Sequence, residues 1–350
     1  MPPLAHRLRQ RAQTSAAAAR NVWPGVLTAL TIATAAVFVS SRYGGPALVF
    51  ALLLGMAFNF LRDDDRVRPG IEFTAKRVLR LGVALLGARI GVDQILNLGW
   101  TAIAVIVAMV PLTIFLGRLL ARQLDQSPEM GVLTGGSVAI CGASAALAIA
   151  SVLPDSPRRE RDTLFTVVGV TTLSTICMVI YPAVLSLFQM TDMQAGYIIG
   201  ASVHDVAQVV GAGYVISEEA GDAATLTKLI RVAMLIPTTL ILATLYAGQA
   251  AGRPGGQRAA VQVPGFLIGF VVLAVLTNLS FLPQLLIQVA DTTSRWCLVT
   301  AIAALGVKTV LRELIDLGWR PVILMVVETL VLVLAVAGLV LLGDTLLVDG

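Results

Sequence analysis

Long apolar runs separated by short polar stretches repeat along the whole chain of 350 residues. A helix needs roughly 20 apolar residues to cross the hydrocarbon core of a bilayer. By that measure the pattern predicts about eleven candidate segments, at 22–40, 45–61, 73–91, 99–121, 131–153, 163–188, 194–216, 226–249, 263–281, 284–306 and 320–343. The last run shows no alternation of apolar and polar positions, which the strands of a membrane β-barrel would require. We therefore predict an all-α polytopic membrane protein with about 9–11 transmembrane segments.

Composition supports this interpretation and excludes several classes of protein. Hydrophobic residues make up 57% of the chain and charged residues 13%, and the mean hydropathy is +0.86. Soluble domains carry about a quarter charged residues, so a soluble globular or disordered protein is excluded. The net charge of +4 comes from Lys and Arg between the apolar runs, which is typical of cytoplasmic loops. We expect a lipid bilayer as the surrounding medium and no nucleic-acid partner.

The N-terminal region contains basic residues but no apolar core of its own. Residues 1–21 therefore predict a cytoplasmic tail, and the remainder, 22–350, predicts one integral membrane transporter domain. The first apolar run lacks a small-x-small cleavage site near Ser40, so we expect it to be a retained helix rather than a signal peptide.

Two segments, 131–153 and 194–216, are the richest in Gly, Ser and polar residues. Non-helical backbone at membrane depth is tolerated where it lines a cavity. If both segments are broken or re-enter the membrane, the basic loop 156–162 moves to the cytoplasmic side, as the positive-inside rule requires, and the acidic residues 218–222 stay outside. We therefore predict two discontinuous or re-entrant helices and a periplasmic C-terminus; full crossing by both segments is the alternative.

A short pattern recurs at a constant offset of 219 residues. Leu-Gly-Ala-Arg at 86–89 and Leu-Gly-Trp at 98–100 reappear as Leu-Gly-Val-Lys at 305–308 and Leu-Gly-Trp at 317–319. With two non-crossing hairpins, an odd number of crossings separates the copies, so they would lie in opposite orientation. The pattern thus favours inverted repeats, although Leu-Gly pairs also recur by chance in an apolar chain.

The stretch 134–144 is polar for a membrane segment. It holds three glycines and four residues with hydroxyl or thiol groups: Gly135, Gly136, Gly142, Thr134, Ser137, Cys141 and Ser144. Glycine lets the backbone leave helical geometry, and the N–H groups freed at a half-helix N-terminus attract anions. Hydroxyls of Ser137 and Ser144 would add neutral donors. Close packing of small residues between helices is the alternative.

The stretch 200–213 brings His204, Asp205 and Gln208 into a second apolar segment. Ionisable groups at membrane depth are costly and generally line a path for substrate or protons. His204, the only histidine beyond the tail, is the natural candidate for proton coupling, and on a helix it would share a face with Gln208. One His and one Asp are too few ligands for a transition metal, so we expect no metal site and no cofactor.

Further polar residues rank lower. Gly-x-Ser-Val opens both stretches, at Gly135 and Gly200, which indicates equivalent elements. Lys228 and Arg231 could neutralise an anion at the mouth of the site, but the default expectation is that such side chains reach to lipid phosphates. Glu328 in the last helix is an intramembrane polar residue of lower rank.

These residues resemble the YeiH-type, or UPF0324, family of bacterial inner membrane proteins, which carries the label of sulfate exporter. The resemblance runs over nearly the whole chain from 45–56 onward and is most specific at 140–145, 203–210 and 227–231. It implies an antiporter-like fold with inverted repeats and discontinuous helices that meet at the midplane. It also implies a site made of Ser137, Cys141, Gly142, Ser144, Ser202, His204, Asp205 and Gln208, with Lys228 nearby.

We therefore predict a secondary transporter that exports a small anion such as sulfate or a sulfonate by alternating access. Its coupling ion would be H⁺ or Na⁺, exchanged at His204 and Asp205. The alternatives are an ion channel or a cation/proton exchanger on the same fold, and a scaffold without transport. A membrane enzyme would need Cys141 or Ser137 as nucleophile and His204 as base, but no motif of recognised spacing supports one. A homodimer is expected by fold analogy alone.

Overall fold

The computed structural model describes the backbone of residues 4–43, 46–90, 92–154, 156, 158–188, 190–246, 265–308 and 319–347, with side chains from residue 21 onward except at 92–98 and 343–347. Every regular element in these ranges is a helix. The order along the chain is α1 (Leu4–Tyr43), α2 (Ala47–Ala57), α3 (Arg68–Phe73), α4 (Leu79–Leu86), α5 (Val92–Gln123), α6 (Pro128–Ala139), α7 (Ala143–Val152), α8 (Arg159–Leu185), α9 (Asp192–Ser202), α10 (Val206–Ile216), α11 (Glu218–Ala233), α12 (Leu235–Leu245), α13 (Gly265–Asn278), α14 (Gln284–Lys308) and α15 (Trp319–Leu347).

Several of these helices are long and apolar enough to cross a membrane. Within the described ranges there are five, at Asn21–Tyr43, Gly99–Gln123, Arg159–Phe188, Glu218–Leu245 and Trp319–Leu342. Shorter apolar helices lie at Ala47–Ala57, Ala143–Val152, Val206–Ile216 and Gly265–Asn278. The predicted fold class, an all-α polytopic membrane protein, is confirmed.

The chain forms two compact units, each assembled from two separate stretches. The first unit comprises Met1–Arg89 and Val272–Thr309. In it, α2 and α14 approach so closely at Gly55 and Gly306 that a Cβ atom at either position would collide with backbone of the facing helix. Such contacts between small residues are typical of helix packing in membranes.

The second unit comprises Ile90–Val271 and Val310–Gly350. It contains both segments that were predicted to be discontinuous, and both are interrupted. The first is divided into α6 and α7 by residues 140–142, and the second into α9 and α10 by residues 203–205. The positive φ of Gly99 (76°) further interrupts α5 and separates its first turns from the long apolar part.

The recurring Leu-Gly pattern is only partly within the described residues. Leu86 is the last residue of α4, and Lys308 is the last residue of α14, so the first halves of both copies lie at helix C-termini in the same unit. The second copy of Leu-Gly-Trp falls mainly in 309–318, outside the described residues. The inverted repeat therefore stays a prediction.

Candidate functional site

The first break is built around a glycine that no other residue replaces without strain. Helix α6 ends at Ala139, Ile140 leaves helical geometry (φ −112°, ψ −85°), and Gly142 has φ 62° and ψ −123°. A positive φ is accessible to glycine at little cost. A Cβ atom at Gly142 would lie 3.6 Å from Cβ of His204 in the second break, so the two breaks cross at these residues.

The second break, 203–205, is held open by a neighbouring helix. The hydroxyl oxygen of Ser174 on α8 accepts hydrogen bonds from the backbone N–H groups of His204 (3.2 Å) and Asp205 (3.0 Å). These groups would otherwise be unsatisfied where the helix is interrupted. His204 lies in the break and precedes α10, so the helical face that it was expected to share with Gln208 is not formed.

Arg231 of α11 joins the C-terminal ends of both interrupted helices. Its Nε donates to the carbonyl of Ala139 (2.7 Å) and its Nη2 to that of Val138 (2.6 Å), both at the end of α6. Its Nη1 donates to the carbonyls of Gly200 and Val203 at the end of α9, each at 3.0 Å. One planar guanidinium thus satisfies four carbonyls that the breaks leave without helical partners.

Lys228, one turn earlier on α11, repeats this bridging. Its Nζ donates to the carbonyl of Ile140 in the first break (2.7 Å) and to that of Val203 in the second (2.9 Å). Lys228 is 0% exposed and Arg231 is 2% exposed. The default expectation that these side chains reach to lipid phosphates is therefore wrong, because their charges lie in the protein interior.

These two cations balance the dipoles of the helices that end there. The C-terminus of a helix carries a partial negative charge, which a nearby cation stabilises. Because α6 and α9 both end at Lys228 and Arg231, the two carbonyl clusters are neutralised together. The amino and guanidinium groups thereby occupy the carbonyl oxygens that the two breaks expose.

The Gly-x-Ser-Val motif lies next to the break in both interrupted segments, but two residues out of step. At 135–138 it stops one residue before the end of α6, whereas at 200–203 it runs one residue beyond the end of α9. The hydroxyls of Ser137 and Ser202 each donate to the carbonyl four residues earlier at 2.5 Å. Both serine protons are thus engaged within their own helices, and the oxygen atoms keep their capacity to accept.

The N-terminal ends of the second halves differ from one another. At α10, Oδ1 of Asp205 accepts from the backbone N–H of Ala207 at 2.8 Å and caps the helix. At α7 the capping position is Gly142, which provides no side-chain cap. Ser144 lies in the first turn of α7 and is exposed. The N-terminus of α7 therefore presents the partial positive charge of a helix end without a capping carboxylate or hydroxyl, and the thiol of Cys141 contacts the backbone of Ala145 in the first turn.

His204 is completely buried and has one ring nitrogen engaged. Its Nε2 lies 3.0 Å from Oγ1 of Thr329 on α15, and that hydroxyl donates its own proton to the carbonyl of Met325 at 2.7 Å. Since the threonine proton is used, Nε2 must be the donor in this contact. The Nδ1 atom is buried and has no hydrogen-bond partner among the described residues.

The remaining predicted residues surround the crossing. Gln208 donates from Nε2 to Oγ1 of Thr175 at 2.7 Å, while its buried Oε1 has no partner within the described part of the chain. Cys141 is buried in the first break. Gly136, on α6, faces Ile149 of α7 and leaves room for its side chain. The structure thus brings the two predicted polar stretches together, and their role as a binding site stays a prediction.

From the sequence alone, the role of Arg231 was underestimated, and Ser174 and Thr329 were not identified. For Arg231 a signal was present, because Lys228 and Arg231 are three residues apart and therefore share a helical face in an apolar setting. Ser174 and Thr329 resemble many other hydroxyl residues in the apolar helices and carry no distinguishing sequence signal.

The crossing contains more basic than acidic side chains. Two cations, Lys228 and Arg231, face one carboxylate, Asp205, which lies within electrostatic range of Lys228. In the part of the chain that the structure describes, no group of three or more His, Cys, Asp or Glu side chains could hold a metal ion.

Comparison with known proteins gives consistent results. The model of a family described as conserved hypothetical protein 698 matches residues 24–325. The UPF0324 membrane protein TauZ of Paracoccus pantotrophus is 48% identical over 325 residues, covering 92% of this chain and 96% of its own. A UPF0324 membrane protein of Chlorobaculum tepidum is 47% identical over 317 residues, covering 90% and 88%, and one of Rhizobium meliloti is 45% identical over 341 residues, covering 97% and 99%. No solved structure matches significantly.

Proposed function

The chain belongs to the UPF0324 family of membrane proteins, and we propose that it is a secondary transporter that exports a small anion such as sulfate or a sulfonate. In this proposal the protein is a multi-pass protein of the bacterial inner membrane with a cytoplasmic N-terminus. Alternating access moves the anion past the crossing of the two interrupted helices.

The observation that carries the proposal is the unequal treatment of the helix ends at the crossing. The negative ends of α6 and α9 are neutralised by Lys228 and Arg231, and the positive end of α10 is capped by Asp205. The positive end of α7 has no such cap. An anion at this end would receive backbone N–H groups and the hydroxyl of Ser144, as anions commonly do at helix N-termini.

The same arrangement argues against sodium as the bound ion. Sodium coordination at interrupted membrane helices uses freed backbone carbonyls. Here the carbonyls of Ile140 and Val203 already accept hydrogen bonds from Lys228, and Arg231 takes those of Val138 and Ala139. A cation would have to displace two positive charges to reach these oxygens, so we propose proton coupling, with His204 and Asp205 as the nearest groups that exchange protons with the site.

The first experiment is a thermal-shift measurement on the purified protein in detergent. The probes are sulfate, sulfite, taurine, a small dicarboxylate and sodium chloride. A ligand that binds only the folded protein, at a hundred times its Kd, stabilises it by about 2.7 kcal/mol. We expect sulfate or a sulfonate to raise Tm and sodium at matched ionic strength to leave it unchanged.

A pair of variants at Ser144 locates the bound anion. Ser144→Asp places a negative charge in the first turn of α7, where it favours the helix but repels an anion. Ser144→Asn has similar size without the charge. We expect the anion-dependent rise in Tm to be lost in Ser144→Asp and retained in Ser144→Asn. An equal rise in both variants would place the anion elsewhere, and a rise with sodium alone would contradict an anion transporter.

A further inference from the structure

A buried carboxyl group lies in the same unit, away from the crossing itself. Glu328, near the middle of α15, is 0% exposed, and its helix belongs to the apolar span Trp319–Leu342. Its Oε1 lies 2.8 Å from the hydroxyl oxygen of Thr134 on α6. Its Oε2 is buried and has no hydrogen-bond partner among the described residues.

The carboxyl group is enclosed by glycine-rich backbone. A Cβ atom at Gly117 of α5 would collide with Oε1 of Glu328, and a Cβ atom at Gly131 of α6 would collide with backbone of Gly117. The two helices are therefore close at the level where the carboxyl group inserts. This pocket accepts a carboxyl group because the facing positions lack side chains.

No cation compensates the carboxyl group within the described residues. Helices α5, α6, α8 and α9 pack against α15. The described ionisable residues on these four helices are Arg118 and Arg122 of α5, Glu129 of α6, Arg159, Glu160, Arg161, Asp162, Cys177 and Tyr181 of α8, and Asp192 and Tyr197 of α9. None of them forms an ion pair or a hydrogen bond with Glu328. The ring of His204, in the second break, faces α15 at Thr329 rather than at Glu328, and Arg320 of α15 pairs with Asp125. Among the described residues, Glu328 has its one hydrogen bond with Thr134.

The hydroxyl of Thr134 can serve both protonation states of the carboxyl group. Its oxygen lies 2.8 Å from Oε1 of Glu328 and 3.1 Å from the carbonyl of Met130. When Glu328 is charged, the threonine proton can point to Oε1. When Glu328 is protonated, the acid can donate to the threonine oxygen, and the threonine proton then turns to the Met130 carbonyl. A buried charge without this donor would be far more costly.

The position of Glu328 connects this group to both breaks. Thr134 lies on α6, whose last turn holds the carbonyls that Arg231 binds. Thr329, the next residue after Glu328, contacts the ring of His204 in the second break. A change of charge at Glu328 therefore occurs next to Thr329, the residue of α15 that is hydrogen-bonded to His204 in the second break.

We propose that Glu328 is a proton-binding site that takes up and releases one proton, the carboxylate becoming a carboxylic acid and returning. Its protonation is a property of the α5–α6–α15 pocket and can be tested by itself. Its use in driving anion movement rests on the proposed transport function.

The direct test is infrared difference spectroscopy of the purified protein between about pH 5 and about pH 9. A protonated carboxyl group gives a C=O stretching band that shifts in D₂O and disappears on ionisation. We expect one such band that is lost in Glu328→Gln and kept in Glu129→Gln, a control on α6 at a half-exposed carboxylate. Glu328→Asp, which keeps a carboxyl group, should restore a pH-sensitive band and shows that loss in Glu328→Gln is not misfolding.

A variant of the donor separates proton binding from simple structural support. Thr134→Val keeps the shape of the side chain but removes the hydroxyl group that stabilises the charged form. We expect the acid band in this variant to survive to higher pH than in the unmodified protein. Absence of any pH-sensitive band dependent on Glu328, or an unchanged titration in Thr134→Val, would overturn the proposal.

A transport arm separates the two proposals. The unmodified protein in sulfate-loaded proteoliposomes should move protons when a pH gradient is applied. In Glu328→Gln we expect this proton flux to fall at least about tenfold, which corresponds to about 1.4 kcal/mol in activation free energy. The sulfate-dependent Tm shift of this variant should be unchanged. Unchanged flux in Glu328→Gln would overturn the coupling role of Glu328. No sulfate response in the unmodified protein would contradict the transporter proposal and leave the spectroscopic result standing.

Discussion

At the scale of single residues, Arg231 bears more of the site than any other side chain described. It donates four hydrogen bonds to carbonyls from two separate helices. Removing one partner of a buried charged network leaves the other groups unsatisfied, which commonly costs about 3–5 kcal/mol. We therefore expect Arg231→Met to lower Tm strongly, measured by size-exclusion chromatography of heated membranes in detergent.

The matched control is Arg122→Met, at the exposed end of α5. An arginine in this setting contributes little to stability, so the control should keep the Tm of the unmodified protein. Arg231→Lys should be intermediate, because an ammonium group cannot reproduce the planar fork that reaches both helices. Equal Tm values for Arg231→Met and Arg122→Met would show that the carbonyls find other partners.

Single residues were also where sequence reasoning reached its limit. Hydropathy gives the same cost to an arginine whether it faces lipid headgroups or an interrupted helix. The default expectation for Arg231 and Lys228 was therefore the membrane surface, and only the family resemblance placed Lys228 near the site. Their burial depends on the packing of α11 against α9, α10 and α5, which belongs to the tertiary structure. His204 and Asp205 were identified because ionisable groups are rare in apolar segments and stand out by type.

At the scale of elements, the contact of α2 and α14 gives a test of backbone packing. Adding one methyl group at Gly306 would force it into the backbone of α2, and such overpacking typically costs about 1–3 kcal/mol. We expect Gly306→Ala to lower Tm. Gly338→Ala, in α15, meets nothing within 4 Å and should leave Tm unchanged or raise it slightly because alanine favours helices. Equal behaviour of both variants would contradict the close approach.

The two interrupted segments show what a sequence can tell about elements. The density of Gly, Ser and ionisable residues in 131–153 and 194–216 identified both, because such residues make helices easier to break and give the broken backbone partners. The bounds were close, as the structure has them at Pro128–Val152 and Asp192–Ile216. The crossing of 140–142 with 203–205 was not predictable in detail, since it depends on which carbonyls Arg231 and Lys228 can reach.

At the scale of the whole molecule, chain order and structure diverge. Each compact unit combines an early stretch with a late one, so the unit of Met1–Arg89 is completed only by Val272–Thr309. Contacts between residues so far apart in sequence are slow to form, because the loop must close first. No local sequence pattern reports such pairing, whereas the all-helical class follows from hydropathy alone.

Orientation in the membrane is the property of the whole chain that charge predicts most directly. The start of α8 is basic, with Arg158 just before the helix and Arg159 and Arg161 in its first turn, whereas α11 begins with Glu218 and Glu219. The positive-inside rule places the loop before α8 in the cytoplasm, and the interrupted segments then leave the start of α11 outside.

Two reporters, each with one exposed cysteine, test this orientation in spheroplasts of a bacterial host. In a Cys297→Ser background, which leaves two buried cysteines, Ser156→Cys and Glu219→Cys each place a thiol at an exposed position. We expect a membrane-impermeant maleimide to label Glu219→Cys in intact spheroplasts and Ser156→Cys only after lysis, because the membrane excludes the reagent. Labelling of Ser156→Cys before lysis would reverse the assignment. It would mean that the interrupted segments cross fully, since only then does the basic loop lie outside while the N-terminus stays in the cytoplasm.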